Sequence, residues 1–376
     1  MSTPLLSKSV CHMTSAHTAR DVRIFMKECR SLAAAGFDVM YIVPGAETCM
    51  VDNVRIIGVD VKKGSRLKRM LFTTRKVYKT AKSSGAGIFH FHDPELMIAG
   101  LLLKWSGKKV IYDVHEDIVK QILSKEYINK GFRKIVAYVI RNTERFIARR
   151  MDYCLTATES IRLKFVNLKA KTEAIFNYPL PEELPGEIVW ANRKQQVCYT
   201  GVITSQRGLN TVLSAFEEDA LKDIKLNLAG DASPETFLDE LKASSGWKNV
   251  NFHGLVGRKE MYSILSDSRA GLVPFMPEPN HIEALPNKIF EYMSAGLPVI
   301  ASDFPMWKEL IEGNGVGICV EPGRTDLLAK AINELCNDDE KARQMGDKGR
   351  RLVLEKYNWR SEEIKLVQIY SDLLEL

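Results

Sequence analysis

The chain has 376 residues, 45% hydrophobic and 27% charged, with 24 Gly and 14 Pro; this composition excludes a disordered chain, a collagen-like repeat and a coiled-coil rod. That length suits two domains of roughly 150–200 residues better than one core. Apolar stretches such as Met97–Leu103 stop far short of the ~18–20 residues of a membrane span. The opening MSTPLLSKSVCHMTSAH has no basic segment followed by an apolar core, and seven cysteines without a CxxC pair read as reduced core thiols, so a cytosolic protein is expected.

Charge is divided unevenly. Residues 1–180 hold 31 Lys and Arg against 16 Asp and Glu, a net of +15, whereas residues 181–376 hold 22 against 31, a net of −9. The first half is therefore expected to meet an anionic surface, nucleic acid or a membrane leaflet.

In chain order, the first half reads as strands at Ser9–Met13, Asp38–Val43, Val54–Val59, Gly87–Phe91, Val110–Val114 and Tyr153–Thr156. Helical stretches alternate with them, Arg20–Ala35 being ended by Gly36 at a C-cap position. The three prolines and one glycine around 178–195 predict a linker. The second half repeats the pattern, with strands at Val197–Thr200, Lys225–Ala229, Val250–His253, Gly271–Pro274, Val299–Ser302 and Gly317–Val320. This is an α/β chain of two Rossmann-like domains, 1–177 and 196–358, each with a parallel sheet. Their carboxyl strand ends are expected to face a cleft, and the amphipathic stretch 359–376 is expected to pack back on the first domain.

The most informative segment is HIEALPNKIFEYMSAGLPVIASD. Glu283 and Glu291 stand in an E-x7-E spacing, and a helix is predicted from near Asn287 with Pro286 just before it. Its free N–H groups and Lys288 would suit an anion, and Glu291, one turn in, could accept hydrogen bonds from a pair of sugar hydroxyls. For two carboxylates alone, a surface Lys288–Glu291 ion pair with Glu283 solvated is the alternative reading. YTGVITSQRGLN reads as a strand, a glycine loop and a helix from near Gly208. Gly201 would allow close backbone approach and Arg207 would face phosphate; an ordinary strand–helix turn is the alternative.

In the first half, His115 of VIYDVHED falls at a strand's carboxyl end, where it would either meet a ligand or cap the strand. His90 and His92 of HFHDP are read as alternating, so that at most one faces the cleft; with Asp93 they lack a third metal partner. His17, Asp21 and Arg23 follow the first strand and are placed for acceptor or phosphate contacts, with Asp21 alternatively complementing a helix dipole. No D-x-D, G-x-S-x-G, H-E-x-x-H or Walker loop occurs, so neither a metal nor a cofactor is expected. Lys62–Lys82 holds nine Lys and Arg and no acid, and Phe132–Arg150 is a second basic helix with Ile135, Val136, Val139 and Ile140. Both suit an anionic leaflet, the alternative being solvated outer helices whose apolar sides face their own sheet. Few aromatics interleave, which disfavours nucleic acid.

HIEALPNKIFEYMSAGLPVIASD resembles the signature of retaining glycosyltransferases of family 4, which have the GT-B fold. TSAHTARDVRIFMKECRSLAAAGFDV, HFHDPELMIAGLLLKWSGKKVIYDVHED, YTGVITSQRGLN and YNWRSEEIKLVQIYSDLL fit its bacterial surface-polysaccharide members. The resemblance implies that Glu283 meets the donor sugar, Glu291 holds the ribose and His115 faces the sugar. It also implies donor contacts at Gly201, Val256, Leu285, Pro286 and Asn287 and catalytic roles for Arg207 and Lys288; His17, Asp21 and His92, by their place near the strand ends, are expected on the acceptor side. Val202 stands where the family commonly carries a second basic residue. The implied activity is metal-independent transfer of a hexose-type unit from a nucleotide diphosphate sugar to a lipid-linked glycan at the inner membrane face, in O-antigen, capsule or exopolysaccharide assembly. A nucleotide-sugar epimerase of the same fold and a non-catalytic membrane scaffold are the rival readings.

Overall fold

Val, Ile, Phe and Tyr fill the strand segments, and most of these residues are buried, as in a parallel sheet covered on both faces. The computed structural model describes residues 8–61, 66–124, 129–180 and 188–375. It divides into one unit of Met1–Asn177 with Trp359–Leu376 and another of Tyr178–Asn358. The first unit contains β1 (Ser9–Met13), β2 (Asp38–Pro44), β3 (Cys49–Val51), β4 (Val54–Val59), β5 (Ile88–Phe91), β6 (Lys109–Val114), β7 (Tyr153–Thr156) and β8 (Thr172–Ala174). Their order is β3-β4-β2-β1-β5-β6-β7-β8, parallel except for β3 on β4. The second unit contains β9 (Gln196–Thr200), β10 (Lys225–Ala229), β11 (Val250–Gly254), β12 (Ala270–Val273), β13 (Val299–Ser302) and β14 (Gly317–Val320). They run β11-β10-β9-β12-β13-β14, all parallel.

The twelve strands expected from sequence are all present within a residue at each end, and β3 and β8 are additional. β3 is too short to carry a periodic signal. It is set by the turn at Asp52 and Asn53, both left-handed at φ 50° and 61°, which matches a two-residue hairpin.

In each sheet the strand order reverses beside the first strand. β1 lies between β2 and β5, and β9 lies between β10 and β12. Crossovers leave to opposite sides at such a point, which opens a crevice at the strands' carboxyl ends. β1 runs into residues 14–21 there, and β9 runs into 201–208.

The expected helix Arg20–Ala35 begins later and is wound differently. Asp21 caps it, its carboxylate accepting from the N–H groups of Arg23 and Ile24, both at 2.9 Å. Val22–Cys29 forms a π-helix, continued as an α-helix over Arg30–Ala34; the Met26 N–H reaches back five residues to the Asp21 carbonyl at 3.1 Å. Such widened turns are rare and concentrate at functional sites.

The helix Trp359–Glu375 belongs to the first unit, where Trp359 Nε1 donates to Ser31 Oγ at 2.8 Å. Residues flanking 181–187 are fixed to the second unit rather than forming an open linker. Tyr178 packs edge-on to Phe290 at 4.8 Å, and buried Arg193 donates to the carbonyls of Leu265 (3.0 Å) and Ala295 (2.6 Å). Residues 181–187 themselves lie outside the described residues. All seven cysteines are free, five of them buried. No described helix is long and apolar enough to cross a membrane.

Candidate functional site: two strand-end clusters

In the second unit, β9 delivers Gly201 to the crevice with φ +121°, where a Cβ would stand 3.2 Å from Lys288 Nζ and 3.5 Å from Arg207 Nη1. Glycine therefore suits the backbone angle, and two cations converge on it. Arg207 closes a short turn, Ser205–Arg207, whose Thr204 hydroxyl accepts from the Arg207 N–H at 3.2 Å. Gly208 follows at φ +76°, pressed so closely on the Pro274 carbonyl that a Cβ would lie 1.8 Å from its oxygen. The helix Leu209–Ala215 then begins, one residue after the expected start.

Lys288 lies in the helix Asn287–Ser294, which starts at the expected residue. Only 7% of it is exposed. Its Nζ sits 3.7 Å from the Tyr199 ring centre and 5.2 Å from that of Phe275. That nitrogen has no hydrogen-bond partner among the described residues. Burial, and then the Arg207 charge, push the ammonium's pKa well below its ordinary value. The Lys288–Glu291 surface pair is not formed. Glu291 Oε1 instead accepts from Arg258 Nη1 at 3.0 Å, a residue the sequence reading passed over; its signal was a basic residue directly after Gly257, at the start of the helix Arg258–Asp267.

Glu283 is exposed in the turn ahead of this helix, with Leu285 and Pro286 half-buried and Asn287 exposed. Trp307 Nε1 pins that turn by donating to the Ala284 carbonyl at 2.6 Å. Val256 is half-buried, just after Gly254 at φ +64°.

In the first unit, Asp113 is the hub. Arg23 grips it with two hydrogen bonds, Nε–Oδ2 at 2.9 Å and Nη2–Oδ1 at 2.8 Å, and donates Nη1 to the Ile175 carbonyl at 2.7 Å. His115 Nε2 lies 2.8 Å and His92 Nδ1 3.1 Å from Asp113 Oδ2. Burial pushes this carboxyl up, but Arg23 and the two imidazoles outweigh it and hold the pKa well below the ordinary carboxylate range. An ionised Asp113 fixes the His115 proton on Nε2, leaving Nδ1 as an acceptor. His115 is half-buried, and the His17 ring stands 5.3 Å from it.

Three expectations need correcting. Arg23 is spent on Asp113 and Ile175 inside the unit and is not free for phosphate. His92, 3% exposed, positions Asp113 and does not offer itself to an acceptor. His90 and His92 do not point to opposite sides: residues two apart on a strand share a face, and their rings lie 4.4 Å apart. His12 and Glu28 join them in one buried group, partners that strand spacing alone could not disclose. Asp21 does cap its helix and bonds half-buried His17 at 2.8 Å.

Two parallel-sheet units, each with a polar cluster at its order-reversing strands, define a GT-B architecture. Residues 182–352 match the family described as Glycosyl transferases group 1, and residues 22–177 match Glycosyltransferase Family 4. The chain belongs to the family 4 glycosyltransferases. It is 24% identical over 344 residues to an uncharacterized glycosyltransferase of Haemophilus influenzae, covering 89% of this chain and 91% of that one. It is 27% identical over 180 residues to the alpha-D-kanosaminyltransferase of Streptomyces kanamyceticus, 47% of this chain and 45% of that protein. An O-antigen chain mannosyltransferase C of Escherichia coli is 24% identical over 180 residues, 47% of this chain and 46% of that protein. The chain thus spans about half the length of several curated relatives it matches. Among solved structures, sucrose-phosphate synthase from Thermosynechococcus elongatus superposes with a TM-score of 0.77 at 18% identity, over 98% of this chain and 99% of that one. Anabaena HepE in complex with UDP-glucose gives 0.71 at 15%, over 97% and 99%.

Proposed function

We propose that the protein is a retaining, hexose-transferring glycosyltransferase whose donor is a nucleotide diphosphate sugar and whose acceptor is a lipid-linked glycan in surface-polysaccharide assembly. The observation that carries this reading is Lys288, a buried ammonium without an acceptor, beside Arg207 and the open backbone of Gly201. A diphosphate would supply the missing partner and favour the charged form of the ammonium. The kinship with an O-antigen mannosyltransferase and the fold shared with a UDP-glucose complex support the substrate classes.

Arg207 and Lys288 stabilise charge that builds on the departing phosphate oxygen, a preorganised electrostatic effect. No divalent ion is required at the diphosphate. That oxygen takes the acceptor hydroxyl's proton as the new bond forms on the face the leaving group vacates. Glu291, held by Arg258, accepts from the ribose hydroxyls, and Glu283 meets the sugar. His115 presents Nδ1 as an acceptor to a sugar hydroxyl. His17 and Asp21 bind on the acceptor side.

The acceptor's lipid agrees with the surface of the helix Lys130–Ala148. Phe132, Ile135, Tyr138 and Val139 are each more than half exposed, with Lys134, Arg141 and Arg145 exposed on the same helix. Its other side packs Val136, Ala137 and Ile140 on Val119 and Ile122. In the helix Arg66–Ser83 the balance is opposite, because Val77 and Ala81 are buried in the core under the sheet. The Lys62–Lys82 segment therefore spends part of its apolar face internally, and its residues 62–65 lie outside the described residues. Docking at the inner leaflet is assigned chiefly to the Lys130–Ala148 helix.

The test is to incubate the protein with a panel of nucleotide diphosphate sugars and membrane lipid extract. Release of nucleoside diphosphate with a glycosylated lipid product is expected, with the anomeric configuration kept. Conversion of the donor sugar without an acceptor would make it an epimerase, and no turnover with any donor would favour a scaffold.

A further inference from the structure

β1 and β5 are neighbours at the centre of their sheet, and His12 pairs in register with His90. His90 and His92 share the same face of β5, and Glu28 approaches them from the π-helix. His12 Nδ1 and His92 Nε2 are 3.0 Å apart. Glu28 Oε2 lies 3.9 Å from each of those nitrogens and 3.8 Å from His90 Nδ1. One donor atom from each of the four residues falls within 4.8 Å of the others, and all four residues are buried.

Two observations separate this group from an ordinary polar core. Both Glu28 carboxylate oxygens and His90 Nε2 are buried without a hydrogen-bond partner among the described residues, which is costly at that depth. Arg23 Nε lies 3.2 Å from Oε1 and offsets the charge when Glu28 is ionised. The second observation concerns the outward-facing ring nitrogens. His92 Nδ1 faces ionised Asp113 at 3.1 Å, so it carries the ring proton and Nε2 is a lone pair. The Tyr370 hydroxyl lies 2.7 Å from His90 Nδ1 and 3.2 Å from His12 Nε2; with an ion bound it can accept a proton from each, which leaves His90 Nε2 and His12 Nδ1 to the metal. Imidazoles held from behind by a carboxylate or a hydroxyl are the usual preparation for metal ligation.

We propose that His12, Glu28, His90 and His92 bind one zinc ion, which ties β1 and β5 to the π-helix. Three imidazoles and a carboxylate form a borderline donor set that suits zinc rather than magnesium or calcium. Zinc bonds of ~2.0–2.1 Å put neighbouring tetrahedral donors about 3.3 Å apart; His12 Nδ1 and His92 Nε2 are 3.0 Å apart and each lies 3.9 Å from Glu28 Oε2, which brackets that value. All four positions are filled by protein, so the site is closed and structural, and zinc activates no water there. On binding, the His12 proton moves from Nδ1 to Nε2, and Glu28 enters as a carboxylate after releasing its proton to solvent. The ion is separate from the diphosphate chemistry.

The test uses the full-length chain without a histidine tag, purified from zinc-supplemented culture, gel-filtered and analysed for metals. About one zinc per chain is expected, and cobalt exchanged into the chain should give the intense visible absorption of a four-coordinate site. Glu28→Gln and His12→Asn, each checked for native circular dichroism, should lower zinc content at least tenfold. His115→Ala, which alters the neighbouring Asp113 cluster but none of the four ligands, should keep the full equivalent. Wild-type protein with neither zinc nor a cobalt spectrum overturns the proposal without recourse to any variant. Full zinc in a folded Glu28→Gln or His12→Asn chain, or loss of zinc in folded His115→Ala, overturns the assigned ligands.

Discussion

Lys288 holds its Nζ 3.7 Å from the centre of the Tyr199 ring, with no hydrogen-bond partner among the described residues. The ring face offers a cation modest compensation, less than a buried charge requires. The arrangement costs stability in the free protein and gives a binding site for an anion, and the two effects can be measured separately.

Lys288→Met keeps the stem's volume and removes the charge. It should raise the unfolding free energy by ~1–3 kcal/mol, the penalty of an unsatisfied buried group. The same change should lower kcat/KM by a factor of ~10² or more. In the wild type, the folded pKa lies below that of the unfolded chain because burial, then Arg207, disfavours the charge. The stability penalty is therefore full below the folded pKa and fades as pH rises towards 10.5. Urea unfolding from pH 7 to 10.5 should show wild-type stability converging on that of the methionine variant. A variant less stable than wild type would mean that the ammonium has a partner.

Arg207→Ala should cost ~2–4 kcal/mol of transition-state stabilisation, mostly in kcat, since leaving-group charge grows as the bond breaks. With zinc content held constant, added magnesium or manganese should leave turnover unchanged. A dependence of turnover on either ion would place a metal at the diphosphate.

The two glutamates should separate kinetically. Glu291→Ala should chiefly raise the donor KM, because ribose contacts persist from ground state to transition state, and Arg258→Ala should move KM the same way by a smaller factor. Glu283→Ala should chiefly lower kcat, because that carboxylate meets the reacting sugar. Steady-state kinetics with saturating acceptor distinguishes the outcomes, and the reverse pattern would exchange the two roles.

Strand positions were legible because β-branched runs bounded by turn residues repeat through both halves, and Asn287 was legible as a helix start from the proline before it. The Gly201, Arg207 and Lys288 group was legible as a motif, although the sequence held no hint that Lys288 would be buried. The Asp113 hub was not legible. Arg23 reaches it across 90 positions, and charge pairing at that separation leaves no periodic trace. The π-helix was likewise hidden, since the eight residues of Val22–Cys29 are too few for a reading by period to tell a widened helix from an α-helix. His90 and His92 were misread against the strand rule, which puts residues two apart on one face, and Glu28 and Tyr370 enter their group only through tertiary packing.

That buried network makes the first unit acid-sensitive. Burial before all else pushes the pKa values of His12, His90 and His92 below the ordinary 6.5. The unfolded chain thus binds more protons once the pH drops below that value, and stability should fall by up to ~1.4 kcal/mol per pH unit for each histidine. Glu28, whose pKa burial raises, takes up its proton in the folded state and offsets one such slope. Asp113 contributes at lower pH. Its stabilisation is complete above 3.8 and is lost as pH falls towards its depressed folded value. Urea midpoints of the chelator-treated, metal-free chain measured from pH 7.5 to 4.5 should decline steeply below ~6.5; a flat profile would mean that the imidazoles are already charged in the folded protein. Arg23→Ala should destabilise the chain by ~3–5 kcal/mol, because it strands a buried carboxylate.

The exposed apolar row of the helix Lys130–Ala148 bears on the lipid. If Phe132, Ile135, Tyr138 and Val139 enter an anionic leaflet beside Lys134, Arg141 and Arg145, the protein should sediment with anionic vesicles and largely ignore neutral ones. Salt should weaken the binding as the Debye length shrinks from ~10 Å at 0.1 M to ~3 Å at 1 M. Phe132→Ser with Ile135→Ser should reduce vesicle binding at every salt concentration, because it removes apolar insertion and leaves the charge intact. Replacing Lys134, Arg141 and Arg145 with Gln should abolish the preference for anionic lipid. Replacing Arg75, Lys76 and Lys79 with Gln should have the smaller effect, since the helix Arg66–Ser83 spends apolar residues on its own core. Activity on a short water-soluble acceptor should survive in all three sets, as none of these side chains belongs to either strand-end cluster. Loss of soluble activity in the first two sets would make the helix part of the acceptor site, and a dominant effect from Arg75, Lys76 and Lys79 would move the lipid contact to the other basic helix.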